Sequence, residues 1–179
     1  MPFSVLLLTA ASSERHITGH GGDRVSMKDA LKPGEIVLFF DKIDSDAVRN
    51  SLGMVDTKCC DGIIFYARGA QKVICFVEMK SDNLGEAEMQ IKVTYDYFNK
   101  MLSNECRLCR DQYQQIIWRA YIYRSGGAPK KDADICVERL EKAGFQKGNV
   151  VVLGNPDISD FLRAEERQWK RKNAKKRNY

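Results

Sequence analysis

At 179 residues and 44% hydrophobic content, the chain suits one soluble domain with a sizeable core. Six cysteines (Cys59, Cys60, Cys75, Cys106, Cys109 and Cys136) are too dispersed for a small disulfide scaffold, which points to a reducing compartment. The net charge of +5 comes from the last eleven residues, which hold six Lys or Arg and no acid; the remainder carries 23 basic groups against 24 acids. The expected organisation is a single domain over 1–168 and a basic tail over 169–179. That tail can neutralise phosphates without reading sequence, or serve only as a solubilising end.

In chain order, the apolar opening FSVLLLTA is too short to span a bilayer and has no basic flank before it. The expectation is an intracellular protein, cytoplasmic or, in a eukaryote, nuclear, with no membrane partner. Gly19-His20-Gly21-Gly22 is the first clear loop, and no lysine with serine or threonine follows to make it a nucleotide-binding P-loop. A helix is predicted over 26–31, ended by Pro33-Gly34. Strands are predicted over 35–40, 62–67 and 73–80, with a short helix over 45–52 and a turn at 68–71.

Ser81, Asp82 and Asn83 are each able to cap a helix predicted over 84–102. Its buried stripe is predicted at Met89, Val93, Tyr97 and Met101, with Gln90 one position away. A strand over 115–123, a helix over 131–143 ending at Gly144, a strand over 149–153 and a helix over 158–171 complete the chain.

Chemistry gathers at two strand ends. Asp61 opens the run CDGIIFYA, and Glu78-Met79-Lys80 closes KVICFVEMK. Side chains alternate along a strand, so Glu78 and Lys80 leave the same face. Both strands read as buried on both faces, where an uncompensated carboxylate is costly. Two converging carboxylates suit Mg²⁺, a hard cation that takes oxygen ligands. The alternative is an ordinary Glu78–Lys80 ion pair with Asp61 as a turn residue before Gly62.

The pattern Asp61…Glu78-x-Lys80, set between two strands and followed by a helix, resembles the PD-(D/E)xK nuclease superfamily; Cys60 stands where the name has proline. The resemblance implies an α/β fold with a restriction-endonuclease-like α-β-β-β-α-β core, a mixed central sheet flanked by helices, and here a C-terminal β-α extension. It also implies a Mg²⁺- or Mn²⁺-dependent nuclease acting on nucleic acid, DNA foremost. Asp61 and Glu78 would hold the metal, with the Met79 carbonyl as a further ligand. Lys80 would position the water, and Gln90 would be auxiliary, with Glu86 one turn earlier on the same face. Glu35 is a candidate third acid, or simply an exposed strand end. A homodimer would let two sites cut two strands.

Two rivals stand beside this reading. One is a nucleic-acid-binding or assembly module that keeps the fold without catalysis. The other is a zinc-stabilised domain built on Cys106, Cys109, His16 and His20.

Overall fold

The computed structural model describes residues 2–19, 21–80, 82–105, 115–125 and 129–164. The chain forms α1 (Pro2–Thr9), β1 (Ala11–Ser12), β2 (His16–Thr18), β3 (Arg24–Ser26), β4 (Glu35–Asp41), α2 (Asp46–Leu52), β5 (Gly62–Arg68) and β6 (Gln71–Met79). It continues with α3 (Leu84–Glu105), β7 (Ile116–Tyr123), α4 (Lys130–Lys142), β8 (Val150–Leu153) and α5 (Ser159–Arg163). The fold is α/β, with a mixed six-stranded central sheet flanked by helices.

The sheet order is β1-β4-β5-β6-β7-β8. Strands β4, β5 and β6 form an antiparallel meander, while β6, β7 and β8 run parallel because α3 and then α4 carry the chain back between them. The two-residue turn Gly69-Ala70 joins β5 to β6 and sets their register, with Arg68 opposite Gln71 and Gly62 opposite Val77. The predicted strands all form, each within two residues of its expected ends, as apolar runs bounded by turn residues should. No helix among the described residues is long and apolar enough to cross a membrane.

Alternation along the strands builds two cores. Phe40, Ile63, Ile74, Phe76, Ala120 and Ile122 face the helices α1 to α4. Phe39, Ile64, Tyr66, Val73, Cys75, Val77 and Tyr121 face the opposite way, against the β2–β3 hairpin and α5. On this second face the guanidinium of Arg119, a residue 1% exposed, donates to the carbonyls of Phe161, Leu162 and Ala164 and lies over the Phe161 ring. The buried charge is therefore matched by the oxygens at the C-terminal end of α5.

Three predicted features differ. The last helix, expected over 158–171, spans Ser159–Arg163 and stops at Ala164, whose ψ of 125° lies outside the helical region. Residues 26–31 form no helix: Ser26 ends β3 and exchanges backbone bonds with Pro156 and Ile158, while Met27 is buried in the second core. A six-residue segment has too few internal hydrogen bonds to resist such pairing. The buried stripe of α3 is Leu84, Ala87, Ile91, Tyr95, Phe98 and Leu102; of the predicted stripe, Val93 and Tyr97 pack partly buried against the same core, while Met89 is 53% exposed. Steps of four advance 400° in a helix of 3.6 residues per turn, so Met89, Val93, Tyr97 and Met101 drift around the axis, whereas a mixture of three- and four-residue steps stays on one face.

Candidate metal and phosphodiester site

The register of β5 and β6 places Asp61 across from Glu78, one pair beyond Gly62 and Val77. By the same alternation Asp61, Glu78 and Lys80 leave the sheet on the side of α3, together with Ile63, Ile74 and Phe76. Asp61 is 7% exposed and Glu78 1%. The Asp61 N–H donates to Glu78 Oε2 at 3.0 Å, and the Met79 N–H donates to Asp61 Oδ2 at 2.8 Å. The carbonyl of Asp61 accepts from the Ile43 N–H at 3.0 Å, so the main chain at Asp61 is fixed on both sides.

Burial, and then the Asp61 carboxylate, push Glu78 up to about 9, against the opposing pull of Lys80. Without a cation Glu78 is thus a neutral acid at pH 7; a nearby positive charge would draw off its proton. Lys80 only partly offsets that rise, with Nζ 3.4 Å from Glu78 Oε1 and 3.6 Å from Glu86 Oε2. Glu86 also takes Lys58 Nζ at 3.1 Å, and the two lysines hold its carboxyl below the usual range.

Helix α3 brings the remaining polar groups. Asn83 caps its start, accepting from the Glu86 N–H at 3.1 Å. Glu86, Gln90 and Thr94 follow at four-residue intervals, about 6 Å apart along the axis. Glu86 reaches Lys80 at one end and Thr94 accepts from the Cys60 N–H at the other, at 3.0 Å. Gln90 lies between these two anchor points, on the stretch of helix that faces Asp61 and Glu78. It is 3% exposed, and its Oε1 is buried with no hydrogen-bond partner among the described residues. Such an orphaned acceptor is costly in a folded protein and calls for a donor or a cation.

The donor set therefore fits a hard divalent ion: two carboxylates and an amide oxygen, with the Met79 carbonyl next in the chain to Glu78. Among the described residues, no cluster of three or more His, Cys, Asp or Glu side chains is placed to hold a metal, so such an ion would rely on this pair, neutral oxygens and water.

Glu35 is not part of the site. It pairs with Arg68 at the far end of β5 from Gly62, six residues or roughly 20 Å away. Nor is it exposed: its carboxylate accepts from Arg163 Nε and Nη2, both at 2.9 Å, from the Tyr66 hydroxyl at 3.0 Å and from the Lys32 N–H at 2.8 Å. The bonds from Arg163, with those from Lys32 and Tyr66, hold it down at about 2. The zinc alternative falls largely outside the described residues, which exclude His20, Cys106 and Cys109; His16 opens β2 with Nε2 3.0 Å from Glu14. Cys59, Cys60, Cys75 and Cys136 are buried free thiols.

Sequence reasoning missed Thr94 and Lys58. The one available signal for Thr94 was its position four residues after Gln90. No family model, no curated protein and no solved structure matches this chain.

Proposed function

We propose that the protein is a Mg²⁺- or Mn²⁺-dependent nuclease of the PD-(D/E)xK type, hydrolysing phosphodiester bonds of nucleic acid, DNA foremost. The observation that carries this reading is the placement of Asp61 and Glu78 opposite each other on neighbouring strands, with Lys80 on the same face and the unpartnered Gln90 oxygen on the facing helix. In this reading, the meander β4-β5-β6, the helix α3 and the parallel strand β7 correspond to the restriction-endonuclease-like core, and α4, β8 and α5 to its extension.

When bound, the cation would polarise the phosphate and lower the pKa of a water ligand. Asp61 and Glu78 would hold it, with the Met79 carbonyl and Gln90 Oε1 as neutral ligands. Lys80, between Glu78 and Glu86, would orient the attacking water and offset charge that develops on the phosphate oxygens. The six cations of the tail would add phosphate contacts that carry no sequence information.

The test is incubation of the purified chain with single- and double-stranded DNA and RNA in Mg²⁺, Mn²⁺ or EDTA. Metal-dependent cleavage that Asp61→Ala and Glu78→Ala both abolish supports the reading. Cleavage unchanged in both variants sinks it, and nucleic-acid binding with no cleavage in any metal favours a binding or assembly module.

A further inference from the structure

Two buried polar side chains of α3, Gln90 and Thr94, interrupt its apolar contact with the sheet. Thr94 is fully buried, and its hydroxyl makes two hydrogen bonds: Oγ1 donates to the Gln90 carbonyl at 2.7 Å and accepts from the Cys60 N–H at 3.0 Å. The first bond is the back-bond to residue i−4 that threonine makes in helices, and it fixes the hydroxyl so that a lone pair faces away from the helix axis. The second takes up the amide of a residue that is itself fully buried. One hydroxyl thus joins the carbonyl of Gln90 to the residue immediately before Asp61.

We infer that Thr94 is a positioning residue, setting the separation between the helix that carries Gln90 and the backbone that carries Asp61. The inference rests on the metallonuclease reading. Apart from Gln90 and the Glu86–Lys80 pair near its start, α3 meets the strands through apolar side chains such as Ala87, Ile91 and Phe98, which exclude water but leave small displacements free. The hydroxyl removes that freedom at one point. Asp61 is already tied to Ile43, Glu78 and Met79, all within the sheet or its loops, and Thr94 adds the tie to the helix. A displacement of about 1 Å at reacting groups lowers rates by roughly 100-fold, so a tie of this kind acts on turnover rather than on substrate affinity.

The experiment compares Thr94→Val, which keeps the shape and removes both bonds, with Thr94→Ser, which keeps both bonds. Steady-state cleavage is measured at a temperature where each variant retains the wild-type circular dichroism spectrum, and Mn²⁺ affinity is measured by calorimetry without substrate. The expected result is kcat lowered about 10- to 100-fold in Thr94→Val with KM within about threefold of wild type, and kcat within about threefold in Thr94→Ser. Mn²⁺ binding should weaken in the valine variant and not in the serine variant. Thr94→Ala replaces the valine variant should that chain not fold, and failure of both to fold makes Thr94 a folding residue, which overturns the inference. So does a folded Thr94→Val with wild-type kcat, or an equal loss in the valine and serine variants. A wild-type chain that neither binds Mn²⁺ nor cleaves overturns the nuclease reading, and this inference with it. A cleaving wild type matched by Thr94→Val overturns only the role of Thr94.

Discussion

Asp61 and Glu78 orient each other through main-chain amides: Glu78 Oε2 accepts from the N–H of Asp61, and Asp61 Oδ2 accepts from the N–H of Met79, the residue after Glu78. The exchange uses groups that side-chain substitution elsewhere does not remove. Both carboxyl groups therefore keep their aim when Lys80 or Gln90 is changed, and the roles of these residues are separable by mutation.

The first prediction concerns Glu78 and pH. Its folded-state pKa of about 9 lies above the ordinary value of 4.5, so the unfolded chain loses its proton first as pH rises. In metal-free buffer this group therefore costs stability increasingly from about pH 4.5 upward. Glu78→Gln keeps an oxygen for the Asp61 N–H and removes that cost. Its melting temperature should exceed that of wild type at pH 8, with the difference closing toward pH 4.5, while cleavage is lost. A difference that does not vary with pH contradicts the raised pKa.

Lys80 is partly exposed, its side chain 20% accessible, and it faces a Glu78 whose pKa is raised by burial, so the contact at 3.4 Å is not a full ion pair without metal and contributes little to folding. Lys80→Met should lower cleavage by roughly 100-fold or more while shifting stability by less than about 1 kcal/mol. Urea denaturation and turnover measured on the same preparation decide the matter. Lost stability with normal turnover would leave Lys80 only the ion pair.

Arg163 is the main counter-charge for Glu35, whose side chain has no exposure. Arg163→Met should cost about 3 kcal/mol, and Glu35→Gln in the same chain should restore part of it. Because Glu35 is held at about 2, below its ordinary 4.5, its stabilisation is complete above about pH 4.5 and is lost as pH falls toward 2. Urea midpoints at pH 7 and pH 3 should therefore lie closer together in the double variant than in wild type.

Gly62, at the start of β5, lies directly beneath Ile17 of the hairpin: a Cβ there would meet Ile17 Cγ2 at 2.4 Å. Gly19 is similarly close to Met79, at 2.9 Å from its Cβ. Gly62→Ala should destabilise by roughly 1–3 kcal/mol by overpacking. Adding Ile17→Ala removes the clashing atoms, so the double variant should be more stable than the sum of the single losses predicts. Strict additivity would show that the hairpin yields freely at this point.

The strands from β4 onward, and the placement of Asp61, Glu78 and Lys80 at their ends, were legible because runs such as CDGIIF and KVICFV are apolar, short and bounded by turn residues, whereas the short strands β1 to β3 were not. Which face of α3 is buried was not. Met89, Val93, Tyr97 and Met101 are as hydrophobic as the true stripe, and only the geometry of the packed helix separates the two sets. Glu35 looked like a site residue because an acid opens β4. Its partner Arg163 is 128 residues away, and no local pattern records that pairing. Thr94 was hidden for the opposite reason: one threonine among apolar neighbours gives no hint of which backbone amide it meets.

The Glu35–Arg163 ion pair also sets a schedule for folding. Every residue assigned to the candidate site lies between positions 58 and 94, so the site's parts are all present once the meander and α3 have left the ribosome. Glu35 by then lies against Tyr66 but still lacks its guanidinium, and Ser26 still lacks Pro156 and Ile158. Closing loops of this length comes late, because the chain entropy lost must be met before the contacts form. Until the segment around residues 156–163 docks, a nascent chain carries a completed set of site residues on a sheet whose second face is covered only by the β2–β3 hairpin and is otherwise open to water and to neighbouring chains.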